Sequence, residues 1–417
     1  MKQTALQTFV SRFLILILNL GLVIFTTNYW GSSGKGIISI VIADLALVGF
    51  VGNIFVGASV TYFASKFKTE QILLYAYLWA ILSGISVPFL ISFVHEQEFL
   101  SYLIILSVLT SLLSANINLY VGRQHLKNFN IYTILLQGLQ ILFILGLVYL
   151  FDKAEVQTYF VSQILCLLVL FAVSTFQILK HCEFSNISFS RDLSKKLFDY
   201  GWKIQVSSFL QFLNYRLSFY FIEFFKGLSS VGIYSIGVAL SEAIWMVSRS
   251  LSVVLYSDVV NTTDPLAAII KTKISLKIST LVSFFFILML LLIPAEIYVM
   301  IFGKDFGQSK EVILLLSPGI LAIAASNIVG YYFAGINKLR ILNVKSIIGV
   351  LFTIVGSWLL IPRWGIAGAC IVTTVSYCAS SALLFWKFYQ ITDFKMRDFI
   401  LSKGEISLLL KSIHLRK

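Results

Sequence analysis

Long apolar runs without a formal charge are the feature that most constrains this chain. No Asp, Glu, Lys or Arg occurs in Ile72–Val94, Phe99–Val121, Ile131–Phe151, Val156–Leu179, Val312–Ile336 or Ile366–Phe385. A membrane core about 30 Å thick requires about 20 apolar residues of α-helix per crossing, so each run is long enough to span it. Strands of a β-barrel would instead be about 10 residues long and would alternate. The pattern predicts an all-α integral membrane protein.

Six further segments carry a few polar or charged residues but are also long enough to cross: Phe9–Thr27, Ile37–Phe63, Ile204–Phe225, Val231–Tyr256, Ile274–Ile293 and Ile341–Ile361. We therefore predict twelve transmembrane helices. The first segment is too long for the apolar region of a cleaved signal peptide and lacks a cleavage site of small residues, so we expect it to be retained.

Basic residues concentrate on one side of this topology. With the N-terminus placed inside, every inner segment carries at least two Lys or Arg residues, whereas only one outer loop does. This distribution follows the positive-inside rule and predicts that both termini are cytoplasmic. The net charge of +13 then reflects the inner face and its attraction to anionic lipids. No soluble domain offers a basic face, so we expect no nucleic-acid partner.

The cysteines and histidines indicate no chemistry. The chain has four of each, with no Cys-x-x-Cys pair and no histidine spacing typical of metal ligands. We expect neither a metal nor another cofactor, and we expect that the protein is not an enzyme.

The longest polar break divides the chain into halves. Residues around Leu193, Leu197 and Phe198 are charged, a pattern typical of an amphipathic helix at a membrane surface. We predict a six-helix bundle over residues 1–180, an amphipathic cytoplasmic linker over 181–203, a second six-helix bundle over 204–390 and a basic cytoplasmic tail over 391–417.

The halves share a short repeat. The segment Gly31–Ile40 enters span two and Gly227–Ile236 enters span eight, with identical residues at 6 aligned positions. Because each predicted half has an even number of spans, both repeats start on the same side of the membrane. A pseudo-two-fold axis should therefore run along the membrane normal, as in transporters that enclose a central site. Chance similarity of two apolar segments is the alternative.

Charges inside spans mark the first places to look for function, because a mid-membrane Arg or Asp costs roughly 2.5–3.5 kcal/mol on insertion scales. Span seven carries Arg216 and span eight carries Glu242, and the helical rise places both at similar depths near the midplane. This pair either only holds two helices together or presents a guanidinium to an anionic substrate while Glu242 restrains it. Arg249 and Asn214 are further substrate-binding candidates on these spans.

Asp44 in span two has no opposite charge nearby in its own span. A buried, unpaired carboxylate is easily protonated, so Asp44, like Glu242, is a candidate group for coupling to H+ or Na+. Asp44 is only about 12 Å from the outer edge by helical rise, and it could instead face water without a role.

Five motifs give the chain a family resemblance: Gly31-Ser-Ser-Gly-Lys-Gly, Val231-Gly-Ile-Tyr-Ser-Ile, Phe302-Gly-Lys-Asp-Phe, Gly335-Ile-Asn-Lys and Pro362-Arg-Trp-Gly-Ile-Ala-Gly-Ala. In this order they resemble the Wzx-type polysaccharide flippases of the multidrug/oligosaccharidyl-lipid/polysaccharide (MOP) exporter superfamily. Glu242 matches the Glu that commonly follows the Gly-x-Tyr segment in that family. Asn214-Tyr-Arg216 fits the span-seven pattern, but Ser218 stands where the family often has Asp.

The resemblance implies two six-helix bundles around a central cavity, alternating access, and export of undecaprenyl-pyrophosphate-linked oligosaccharides from the inner to the outer leaflet. It implies a bacterial inner membrane, contacts with membrane lipids and association with polysaccharide assembly proteins. Multidrug exporters of the same superfamily typically carry an acidic residue in span one, where this chain has Asn19 and the basic Arg12. We add both to the substrate-binding candidates.

Three other functions are alternatives to the flippase and the multidrug exporter, and each fits the sequence less well. A peptidoglycan-precursor flippase would have fourteen spans, for which the chain has no room. A membrane glycosyltransferase or polymerase would need a sizeable polar loop with paired carboxylates or His. A purely structural scaffold explains neither the repeat nor the charges within the spans.

Overall fold

The computed structural model describes residues 2–93, 98–180, 182, 190–262, 264–336 and 338–392, with side chains described from residue 14 onward except at 207, 246, 247, 253, 254, 257, 261 and 339. Within these ranges every regular element is helical. The first six helices are α1 (Lys2–Val56), α2 (Ala58–Phe63), α3 (Thr69–Ser92), α4 (Leu100–Gly122), α5 (Leu126–Leu150) and α6 (Gln157–Leu179). The others are α7 (Arg191–Lys226), α8 (Leu228–Asn261), α9 (Pro265–Leu292), α10 (Ala295–Phe302), a 3-10 turn (Lys304–Phe306), α11 (Ser309–Gly335) and α12 (Leu339–Thr392).

Nine helices in the described ranges are long and apolar enough to cross a membrane, which agrees with a multi-pass, all-α membrane protein. Two of them, Leu14–Phe63 and Arg340–Thr392, have 50 and 53 residues. As straight helices they would measure about 75–80 Å, more than twice a membrane core of about 30 Å. A total of twelve crossings requires two spans in each long helix and one more in α7. That total stays a prediction.

Glycines interrupt both long helices where the sequence predicts loops between spans. Gly31 in α1 has φ 64° and ψ −164°, and Gly365 in α12 has φ 57° and ψ −130°. Only glycine adopts this combination of positive φ and extended ψ readily. A second glycine follows each break, because a Cβ on Gly34 would overlap Trp30 and a Cβ on Gly368 would lie 2.5 Å from the carbonyl oxygen of Leu360.

The glycines aligned in the sequence repeat have the same backbone conformation. Gly227, which precedes α8, has φ 78° and ψ 174°, close to the values of Gly31. The repeat therefore preserves the local backbone conformation as well as the amino-acid sequence. A symmetry axis between the halves remains a prediction.

The predicted linker and span seven form one helix. α7 runs from Arg191 to Lys226, so the amphipathic segment leads into span seven without a break. Its first turns bury Leu193 and Leu197 and expose Lys195 and Lys196, although Phe198 is also 41% exposed. A Cβ on Gly201 would collide with the backbone of Ile54, so this part of α7 packs tightly against α1. Residues 183–189 of the linker and 393–417 of the tail lie outside the described residues.

The chain divides into two compact units, Met1–Phe209 and Leu210–Lys417. In the first unit, α1 packs against α3, α4 and α5, and α4 also contacts α6. The described linker residues belong to this unit, because Leu193 and Leu197 join its apolar core. In the second unit, α11 packs against α8, α9 and α12. The candidate site lies wholly within the second unit, on α7 and α8.

Candidate substrate-binding site

Two antiparallel helices carry the site. α7 ends at Lys226 and α8 begins at Leu228, so Gly227 alone connects them. Side-chain contacts pair residues that lie progressively farther from this turn on both helices: Arg216 with Glu242, and then Tyr215 with Trp245. The hairpin therefore aligns Arg216 and Tyr215 of α7 with Glu242 and Trp245 of α8. We call this line of side-chain contacts between the two helices the seam.

Arg216 and Glu242 form the ion pair that the helical rise predicted. The Nη2 atom of Arg216 lies 2.7 Å from Oε1 and 2.9 Å from Oε2 of Glu242. One nitrogen thus contacts both carboxylate oxygens, instead of two nitrogens forming the usual fork. Among the described residues no other acceptor contacts the guanidinium, so its Nη1 and Nε donors are available to a further partner. The ring of Phe219 lies 5.2 Å from the guanidinium carbon.

The ion pair is accessible. The side chains of Arg216 and Glu242 are 25% and 35% exposed, although both lie in the middle of long helices. Hydrocarbon would be a poor environment for this exposed part, since an unsatisfied polar group costs several kcal/mol in an apolar medium. The open side therefore suits water or a polar ligand better than lipid tails.

Three aromatic rings lie next to the ion pair. Tyr215, Trp245 and Tyr377 form a closed triangle with ring centroids 5.2 to 5.7 Å apart. The guanidinium carbon of Arg249 lies 6.0 Å from the Trp245 ring, and this guanidinium also lies close to the Tyr215 hydroxyl. Arg216, Arg249 and Glu242 thus leave this part of the seam with one more positive than negative charge.

Asn214 does not belong to the open site. It is buried, its Oδ1 accepts a 2.7 Å hydrogen bond from Ser376, and its side chain fills the space where Gly349 lacks a Cβ. We therefore remove Asn214 from the substrate-binding candidates. Ser218 stands at the position where the family often has Asp. It is also buried, and its hydroxyl forms a hydrogen bond with the hydroxyl of Thr373.

The remaining predicted site residues lie in the first unit. Asn19 is exposed on α1, and the side chain of Arg12 lies outside the described residues. Asp44 is fully buried, which contradicts the idea that it faces water. Asp44 also has an interaction partner. Its role in ion coupling stays a prediction.

The sequence reading missed several buried lysines. Lys35, Lys277 and Lys345 were counted as basic residues of loops, but each is less than a tenth exposed. The Nζ atom of Lys345 donates a 2.6 Å hydrogen bond to Ser326. Lys345 lies inside the predicted span Ile341–Ile361, so the rule for charges within spans could have identified it.

The described ranges contain no group of three or more His, Cys, Asp or Glu residues that could hold a metal ion. The cysteines at 166, 182, 370 and 378 are free thiols. The site's chemistry therefore rests on guanidinium, carboxylate, amide and aromatic groups.

Comparison with known proteins identifies the fold. The structure resembles the lipid II flippase MurJ in an inward closed conformation, with a TM-score of 0.72 and 14% identity over 96% of this chain and 89% of that one. It also resembles an inward-facing multidrug resistance MATE family transporter of the MOP superfamily, with a TM-score of 0.70 and 11% identity over 91% and 95%. The chain has the fold of MOP-superfamily transporters.

Sequence comparison adds a local similarity. A search of family models gives no match. Over 91 residues the chain is 26% identical to the capsular polysaccharide biosynthesis protein CapF of Staphylococcus aureus. This match covers 22% of the chain and 23% of CapF, so the chain spans less than a quarter of this curated relative.

Proposed function

We propose that the protein is a flippase for lipid-linked saccharides that carry a diphosphate. It would take undecaprenyl-pyrophosphate-linked oligosaccharides from the inner leaflet of a bacterial inner membrane and release them into the outer leaflet by alternating access. The similarity to a lipid II flippase and the local similarity to a capsular polysaccharide protein support this substrate class. Membrane lipids and polysaccharide assembly proteins would be its partners.

The free donors of Arg216 carry this proposal. Because Glu242 uses Nη2 alone, a phosphate can accept from Nη1 or from Nε without breaking the ion pair. The planar guanidinium keeps its charge in an apolar environment and matches phosphate oxygens geometrically. Arg249, beside Tyr215, supplies a second guanidinium for the second phosphate. Glu242 orients Arg216 and limits the net charge, so that the diphosphate can leave again.

A charged headgroup needs such a protein because it cannot cross hydrocarbon unaided. Moving negative charge from a negative interior to the outside releases roughly 2.3 kcal/mol per charge per 100 mV. The membrane potential alone could therefore drive the export. Coupling to H+ or Na+ through Asp44 or Glu242 is a further hypothesis, which is not needed for the energetics.

Export of organic cations is the second candidate function, because the fold is shared with a multidrug resistance MATE transporter. The seam disfavours it, since Arg216 and Arg249 outnumber Glu242 around Tyr215 and would repel a cationic drug. Resistance to cationic dyes in cells that express the protein would support this alternative.

A deletion strain tests the proposed function in cells. We expect lipid-linked oligosaccharide to accumulate on the cytoplasmic leaflet and surface glycan to disappear. The Arg216→Ala variant should insert normally but fail to restore surface glycan, whereas Arg340→Ala, which changes an exposed arginine of the same unit, should restore it. Normal display by Arg216→Ala would remove Arg216 from the mechanism. An unchanged glycan in the deletion strain would refute the proposed substrate class.

A further inference from the structure

The seam between α7 and α8 continues beyond the ion pair, away from Gly227. Tyr215 and Trp245 follow Arg216 and Glu242, with ring centroids 5.2 Å apart. Beyond these rings, polar groups surround the Tyr215 hydroxyl. The hydroxyl accepts a 3.0 Å hydrogen bond from Nε2 of Gln211 and lies close to Arg249. The seam thus presents an ion pair, then aromatic rings, then an amide and a guanidinium.

One donor in this seam is unused. Trp245 is 1% exposed, and its Nε1 has no hydrogen-bond partner among the described residues. Leaving a buried donor unsatisfied costs about 1–3 kcal/mol, and a tryptophan that only filled space could be replaced by a phenylalanine without that cost. Because the indole nitrogen is itself enclosed by protein, an ordered water can complete this donor, but a ligand on the open side does not reach it.

The remaining groups of the seam are accessible from one side. Gln211 and Arg249 are exposed, and Tyr215 is half-buried. Tyr377, which is 3% exposed, packs edge-on against Tyr215 with the ring planes at 86°. Trp245 and Tyr377 therefore support Tyr215 from the protein interior, while Gln211 and Arg249 border its outer side.

This combination fits a saccharide. A sugar ring has an apolar C–H face that packs against an aromatic ring, and a rim of hydroxyls that donate to and accept from planar polar side chains. The seam offers the half-buried Tyr215 ring, the amide of Gln211, the guanidinium of Arg249 and the carboxylate of Glu242. A purely hydrophobic ligand would leave these polar groups unpaired, and a simple inorganic anion would not use the rings.

We infer that Tyr215 and Gln211 form a saccharide subsite next to the phosphate-binding guanidinium of Arg216, with Trp245 supporting the Tyr215 ring from the interior. This inference rests on the proposed function, because the sugar is placed by the diphosphate to which it is bonded. Tyr215 and Arg216 are neighbours on α7, so the first sugar of a lipid diphosphate would lie against Tyr215 while the phosphates contact the guanidiniums. The subsite binds the saccharide and takes no part in bond chemistry.

Two ligands that differ only in the sugar test this inference. One is a short-chain polyprenyl diphosphate, and the other is the same lipid diphosphate bearing a disaccharide. Their dissociation constants are measured by calorimetry on the full-length protein in detergent. We expect the wild-type protein to bind the disaccharide form about tenfold more tightly, a preference within the range of one aromatic contact and one or two hydrogen bonds.

Variants separate the two sites. Tyr215→Leu should reduce the tenfold ratio to nearly one and change the affinity for the sugar-free ligand less than about twofold. Gln211→Ala, at an exposed position that should not affect folding, should reduce the ratio by about threefold. Arg216→Gln should weaken the binding of both ligands equally.

Three outcomes overturn the inference, and they can be told apart. If the wild-type protein binds neither ligand, the proposed function fails and the inference fails with it. If it binds both equally, the diphosphate site stands and the saccharide subsite is refuted. If it prefers the disaccharide form but Tyr215→Leu and Gln211→Ala keep that preference, the saccharide binds elsewhere.

Discussion

Replacing Glu242 with Gln should tighten the binding of a diphosphate, although it removes one member of an ion pair. Glu242 contacts Arg216 through Nη2 alone, and the side-chain oxygen of Gln can accept from the same atom. The substitution therefore preserves the orientation of the guanidinium. It removes only the negative charge that repels a phosphate bound to the other donors of the guanidinium.

The size of this effect follows from the geometry. A phosphate that accepts from Nη1 would lie about 7 Å from the Glu242 carboxylate. At this distance the repulsion is about 2.4 kcal/mol per unit phosphate charge for an effective dielectric constant of about 20, and about 0.6 kcal/mol for water. Since the pair is 25% and 35% exposed, the result should fall between these limits. We expect a decrease in Kd of about 3-fold to 60-fold.

Calorimetric titration of purified wild-type and Glu242→Gln protein with a short-chain polyprenyl diphosphate measures this change. Glu311→Gln is the matched control, because it neutralises an exposed carboxylate at the start of α11, where solvent screens its charge. The control should leave Kd within about twofold of the wild-type value. Equal or weaker binding by a folded Glu242→Gln protein would refute the idea that phosphate and carboxylate share Arg216.

Three further changes test other parts of the structure. Arg216→Lys should weaken diphosphate binding about tenfold in the same titration, because a single ammonium cannot hold the carboxylate and a phosphate on separate, fixed donors; unchanged binding would contradict this. Gly31→Ala should lower the melting temperature, at a cost of about 1–3 kcal/mol for forcing Ala into this backbone conformation, whereas Gly21→Ala, in open space on the same helix, should not lower it. Lys345→Met should raise the melting temperature, because an apolar side chain of similar size avoids the cost of desolvating a buried ammonium. A lower melting temperature of Lys345→Met would show that its contact with Ser326 outweighs the cost of burying the charge.

The membrane helices could be predicted because a hydrocarbon core imposes both length and apolar composition. The predicted span Val156–Leu179 differs by one residue from α6, and Phe99–Val121 differs by one residue at each end from α4. The contact between Arg216 and Glu242 was predictable for a similar reason. Regular helical rise converts sequence position into depth, and two opposite charges at one depth attract in an apolar medium.

Side-chain direction could not be predicted in the same way. Lys345 and Lys277 lie within predicted spans, which marks them as charges in the membrane, but only the structure shows that both are buried and that Lys345 reaches Ser326 on α11. Asn214 is a polar residue within a span, which made it a site candidate. Its side chain instead fills the space that Gly349 on α12 leaves without a Cβ, so it packs between two helices. The rings of Tyr215, Trp245 and Tyr377 gave no sequence signal, since aromatic residues make up 15% of the chain.

Translocation in proteoliposomes tests the central claim most directly. A fluorescent lipid diphosphate saccharide is placed in one leaflet, and its appearance in the other is followed with a membrane-impermeant quencher. We predict that the wild-type protein moves the lipid, that Arg216→Gln moves it no faster than protein-free vesicles, and that Arg340→Gln behaves as the wild type. Translocation by Arg216→Gln at the wild-type rate, or none by the wild-type protein, would contradict the account.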